Sequence, residues 1–139
     1  MRLLACLGLL PLFVTVACAH DDLPDDTSRV IVTGDCPGGL ATVTTATYVG
    51  TDLTVTATYG GCAPSRTWAC WNGLYVTSDP PQAQVVVHHD HEAVGECAAI
   101  VTQIATISLT PIVDGRDGAA QPLDRVILSV GGTQVDWQR

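Results

Sequence analysis

Lysine is absent from the 139 residues, and arginine supplies all six basic side chains. Against 14 Asp and Glu they leave a formal charge of −8. Such a chain cannot neutralise a run of phosphates, which excludes non-specific nucleic-acid binding. Aromatics are scarce at 5%, with a single Phe, so the core must come from Val, Ile, Leu and Ala, which bury less area per residue. Charged residues reach only 14% while the hydrophobic set reaches 47%, which excludes a chain disordered throughout. The length leaves room for one domain and excludes a multidomain enzyme. No Gly-x-Ser-x-Gly is present, and no Ser or free Cys lies near a His and an acid in sequence.

What is present begins with an address. Arg2 precedes an uncharged apolar run from Leu3 to Val16. That run is short of the roughly 20 residues a membrane helix needs, so residues 1–19 are expected to be a secretory signal peptide. Two processing sites compete. Ala17-x-Ala19 is a small-x-small site for cleavage after Ala19. Thr15-Val16-Ala17-Cys18 resembles a bacterial lipobox, with Thr15 where Leu is usual, and it makes Cys18 the lipidated residue. Residues 20–28 are polar and acidic and read as a flexible tether, which favours the lipid anchor. Residues 29–139 form the domain. Any membrane contact is then through the lipid on Cys18.

Four cysteines remain in the domain: Cys36, Cys62, Cys70 and Cys97. An even count in an exported chain implies two disulfides, with three possible connectivities. A zinc knuckle would need a Cys pair separated by two residues, and none is present.

Val and Thr dominate at 17 each, and both suit pleated strands. Arg29–Thr33 reads as a first strand. Ala41–Val49 alternates, with Ala41, Val43, Thr45, Thr47 and Val49 predicted on one face. Gly50-Thr51 then makes a two-residue hairpin loop into Leu53–Tyr59, where Leu53, Val55, Ala57 and Tyr59 point inward. Thr67–Trp71 and Leu74–Thr77 are predicted as two strands around an Asn72-Gly73 turn. Gln84–His89 follows after Pro80-Pro81. Cys97–Leu109 reads as strand rather than helix, because Thr102, Thr106 and Thr110 are poor helix formers. Arg125–Val130 and Thr133–Trp137 close the chain as a hairpin across Gly131-Gly132. Eight or nine short strands without a helix predict an all-β fold, a small antiparallel β-sandwich, immunoglobulin-like or similar.

Residues 60–112 combine Gly60-Gly61-Cys62, Val85-x-Val87-x-His89-Asp90, Cys97-Ala98-Ala99 and Ile107-x-Leu109-Thr110-Pro111-Ile112. This combination resembles uncharacterised exported bacterial β-sandwich lipoproteins. Their usual His three residues after the first Cys is replaced by Ser65. The resemblance implies a Cys62–Cys97 disulfide, leaving Cys36–Cys70, and implies no activity.

His88-His89-Asp90-His91-Glu92 is the densest group of ligand-type residues. His-x-His on a strand can hold Zn or Cu, with Glu92, Glu96 or a remote carboxylate completing the shell; otherwise the run is a solvated strand end. Gly34-Asp35-Cys36-Pro37-Gly38-Gly39 has Cys where a trypsin-like loop has its nucleophile and an inserted Pro, so a disulfide-pinned turn is expected. Asp114-Gly115-Arg116-Asp117-Gly118 lacks the full ligand pattern of a calcium loop and reads as a solvated loop. Trp68 and Trp71 differ by three and so face opposite ways on a strand; one is predicted in the core, and the other is expected as core or edge cover, with an exposed ring stacking on a sugar or partner as the alternative. The function these features predict is non-enzymatic: a cell-envelope lipoprotein, in the outer membrane or periplasm, that binds or scaffolds something and needs no cofactor. One alternative is a periplasmic Zn or Cu protein using His88, His89 and His91. The other is a secreted protease inhibitor presenting Pro64-Ser65-Arg66.

Overall fold

Threonine and valine in alternation build the most regular part of the molecule. In the computed structural model, which describes residues 26–91, 97–114 and 122–139, strands β3 (Thr42–Val49) and β4 (Asp52–Gly60) form a hairpin across Gly50-Thr51. Strand β7 (Ile100–Ser108) pairs antiparallel along the whole of β4 and completes a three-stranded sheet. Leu53, Val55 and Ala57 of β4 are wholly buried, as their period of two requires. The predicted face of β3 changes part-way. A bulge between Val43 and Thr45 shifts the phase, so Ala46 and Tyr48 turn toward the core while Val49 is 84% exposed.

The second sheet contains β1 (Ile31–Val32), β2 (Gly39–Leu40), β5 (Thr67–Val76), β6 (Gln82–His89), β8 (Arg125–Val130) and β9 (Thr133–Gln138). Its order is β1-β5-β6-β8-β9, and β2 joins the far end of β6, Gly39 facing His89 and Leu40 facing His88. The sheet is mixed rather than antiparallel throughout, which corrects the expectation. β1 runs parallel to β5, and β8 parallel to β6. The chain leaves β6, crosses to the other sheet as β7, and returns through the helical turn α1 (Thr110–Val113) to enter β8 in the direction of β6. Leu109, Ile112 and Val113 of that turn are fully buried.

Asn72-Gly73 is not a hairpin turn. Both predicted strands belong to one ten-residue strand, β5, and the dipeptide sits in an irregularity between the Trp71–Val85 and Tyr75–Ala83 pairs. Gly73 has φ +80°, the Leu74 N–H donates to Asn72 Oδ1 at 3.0 Å, and Trp71 Nε1 donates to the Leu74 carbonyl at 2.9 Å. The left-handed step that favours Asn-Gly in turns here inserts residues into a strand that keeps its course.

Apolar side chains from both sheets meet in one core, with Val55, Leu53 and Ile107 from the three-stranded sheet and Val85, Val87, Trp71, Leu128 and Trp137 from the other. Trp137 Nε1 donates to the Gly50 carbonyl at 2.7 Å and so ties β9 to the β3–β4 turn. Disulfides join Cys36 to Cys70 and Cys62 to Cys97, the pairing that the resemblance implies. Two such bonds fit an oxidising, exported setting. Among the described residues no helix is long and apolar enough to cross a membrane. The predicted signal peptide, Cys18 and the tether up to residue 25 lie outside the described residues.

Candidate functional site

His89 ends β6, opposite Thr67 of β5 on one side and Gly39 of β2 on the other. Hemmed in by both, it is only 4% exposed. Its ring lies flat against Tyr59, with centroids 4.0 Å apart and planes 9° from parallel. The Tyr59 hydroxyl is itself held, donating to Gln103 Oε1 at 2.8 Å and accepting the Ser65 N–H at 2.8 Å. His89 Nδ1 and the Oγ1 of its cross-strand neighbour Thr67 are buried without a hydrogen-bond partner. Burial lowers the His89 pKa below the ordinary imidazole value, and His91 and His88 push it the same way. The Asp90 main chain and carboxylate oppose that shift and are outweighed. The imidazole is therefore neutral at neutral pH.

The other members of the cluster diverge. His88 faces away from His89 and sets Nδ1 3.3 Å from the Gly38 carbonyl. The Asp90 N–H donates to the Arg66 carbonyl at 2.9 Å, and its carboxylate lies 3.9 Å from the Arg66 guanidinium. His91 is exposed, its ring centroid 6.2 Å from that of His89. The fold thus brings His89 and His91 near one another and separates His88 from both, because neighbouring strand residues point to opposite faces. Among the described residues no three His, Cys, Asp or Glu side chains gather as a metal centre. Glu92 and Glu96 lie outside the described residues.

The tryptophans take the covered reading rather than the stacking one. Trp68 and Trp71 do face opposite ways, but neither is exposed. Trp71 enters the core, while Trp68 points to the outer side of its sheet and is covered there by the turn around Gly38. That turn is held down by Cys36–Cys70. Gly38 has φ +90°, and a Cβ placed on it would lie 2.5 Å from the His89 carbonyl oxygen and 2.6 Å from the Trp68 ring. Only glycine fits that approach and that conformation. Spacing alone could not show that a disulfide-pinned loop folds over the outer tryptophan.

In the segment expected to face a protease, Ser65 is engaged with Tyr59 and Arg66 lies beside Asp90. Of the loop predicted as solvated, Asp114 pairs with Arg139 at 3.0 Å, and residues 115–118 lie outside the described residues. A hollow of about 290 Å³ adjoins that pair, between Gly50, Thr51 and Trp137.

A surface that the motif reading passed over is the outward face of β3, β4 and β7. Register sets its residues in rows across the three strands: Thr42, Thr58 and Thr102; Thr45, Thr56 and Ile104; Thr47, Thr54 and Thr106. Thr45 Oγ1 donates to Thr56 Oγ1 at 2.8 Å within this array. Ile100 and Ile104 on it are 81% and 69% exposed. Its signal in the sequence was the alternation of Thr and Ile in residues 100–106.

Compared with models of known families, with curated proteins and with solved structures, the chain matches none.

Proposed function

We propose that this chain is an exported bacterial cell-envelope lipoprotein, anchored through Cys18, that binds or scaffolds another molecule and catalyses nothing. Its two sheets are read as the halves of a β-sandwich of the immunoglobulin-like kind. The observation that carries the reading is the use made of the reactive side chains. The four domain cysteines are spent in disulfides, and His89, which a catalytic cluster would need accessible, is packed beneath Tyr59. What the domain offers to its surroundings is instead a sheet face of Thr and Ile whose one charged member in these rows, Asp52, lies at its end. Large exposed apolar side chains grouped on one face mark interaction sites. Membrane fractionation tests the anchor: the wild-type chain is expected with membranes and Cys18→Ser in the soluble fraction. A wild-type chain that is soluble throughout overturns the lipid anchor.

A second reading, a Zn or Cu site, draws on the nearness of the His89 and His91 rings and on the unpartnered His89 Nδ1. Native mass spectra with equimolar Zn²⁺ or Cu²⁺ separate the two. The binding or scaffolding reading expects no stoichiometric adduct. A one-to-one adduct that is lost when His89→Ala is combined with His91→Ala makes the metal site the function.

A further inference from the structure

Strand β7 is an edge, and the structure shows which of its main-chain groups are open. At its end, the Ser108 N–H donates to the Ser28 carbonyl and the Ser108 carbonyl accepts the Val30 N–H, both on the side away from β4. The Leu109 N–H and the Ala99 carbonyl, by contrast, bond toward the β4 side, to Thr51 and Gly61. Successive residues of a strand alternate in this respect. Counting back in twos from Ser108, the groups turned to the free edge are those of Thr106, Ile104, Thr102 and Ile100. Among the described residues nothing pairs with them.

Natural sheets protect such edges with Lys, Pro, a bulge or a very short strand. β7 has none of these. It runs nine residues, Ile100–Ser108, without a charge or a proline, and its register with β4 is unbroken. In a chain of net charge −8, this strand carries no charge with which to repel a second copy.

The order of the open residues identifies the occupant. Along the edge they read Ile100, Thr102, Ile104, Thr106. Reversed, the series is Thr, Ile, Thr, Ile, so it complements itself when turned end for end. We propose that β7 pairs antiparallel with β7 of a second copy of this chain, about a two-fold axis at Gln103. Ile100 then faces the second copy's Thr106, and Thr102 its Ile104. All four open residues on each copy are satisfied, and Ser28 to Val30 keep their place at Ser108. Each cross-strand pair on the outward face joins two β-branched side chains, a favourable combination. The two three-stranded sheets become one six-stranded sheet. This proposal stands apart from the lipid anchor and from the identity of any ligand.

Sedimentation of the purified mature chain at submillimolar concentration is expected to give the mass of two chains. Ile104→Lys and Thr106→Lys, both at exposed positions, are expected to give the mass of one while melting close to the wild type. The register is read by cysteine cross-linking. Facing residues in such a pair lie about 5.5 Å apart between Cα atoms, within disulfide reach. The double variant Thr102→Cys with Ile104→Cys is expected to form a covalent dimer on oxidation, and either single variant is not. A wild-type mass of one chain overturns the proposal, whether the edge stays open or is taken by a strand from another protein. A dimer that survives both lysine variants, or that cross-links equally through a single cysteine, overturns it as well.

Discussion

The imidazole of His89 and the phenol ring of Tyr59 lie parallel at 4.0 Å, joining the end of the second sheet to the end of the three-stranded one. The stack brings together an imidazole whose pKa burial holds below the ordinary value and a phenol whose hydroxyl is already committed to Gln103 and Ser65. Its strength therefore depends on the protonation of the imidazole.

An imidazole buried neutral has its folded pKa below the ordinary 6.5, so the unfolded chain binds more protons than the folded one in that range. Stability is then full above pH 6.5 and falls as pH drops below it. The melting temperature is expected to decline between pH 7 and pH 5, and His89→Gln to flatten that part of the curve. A wild-type curve without slope there, or an unchanged slope in the variant, sinks the assignment.

Gly38→Ala has to accommodate both a left-handed backbone and a Cβ pressed against the Trp68 ring and the His89 carbonyl. A loss of about 2 kcal/mol or more is expected in urea unfolding, from strain of roughly 1–3 kcal/mol and the steric overlap. Gly34→Ala, with nothing within 4 Å of the added methyl group, is the control and stays within about 0.5 kcal/mol.

Removing Cys36–Cys70 by a double alanine substitution opens a loop of sequence separation 34, worth about 4 kcal/mol on chain-entropy grounds. The cover over Trp68 is expected to loosen with it. A red shift in tryptophan emission that is lost when Trp68→Phe is added distinguishes this from general unfolding. An unshifted spectrum means the turn holds its place without the bond.

The Tyr75 hydroxyl donates to the Ile112 carbonyl, fastening β5 to the turn α1. Tyr75→Phe leaves that carbonyl unpaired, and a cost of about 1–2 kcal/mol is expected in denaturant unfolding. No change would mean that water replaces the bond.

Much of the fold was legible in the sequence, for a physical reason. Leu53 to Tyr59 alternate without interruption, and nothing but a strand buries one side of that pattern. The choice of strand for β7 rested on its threonines and agrees with the structure. What the sequence hid was non-local. The bulge at Val43 reverses the face of β3, yet Thr and Val continue through it unchanged. The irregularity at Asn72-Gly73 uses the same residues as a hairpin turn. The parallel neighbours β1 and β8 depend on which sheet the chain enters next, which a local pattern does not record. In the histidine run, alternation correctly separates His88 from His89 and His91. It says nothing of the aromatic ring 30 residues earlier that covers His89.

The chain enters the fold through residues 28–32, held by hydrogen bonds to Ser108 and by the short parallel pairing of β1 with β5, and Cys36 is then bonded to Cys70. A pull on the N-terminus would load those few hydrogen bonds first and peel β1 away. Peeling stops at Cys36. The covalent bond to the buried Cys70 passes the load directly into the middle of β5, so only residues 29–35, roughly 25 Å of extended chain, can pay out before the whole domain resists. Under the proposed N-terminal anchor, the first disulfide would act as a mechanical stop: a short compliant leader followed by a rigid body.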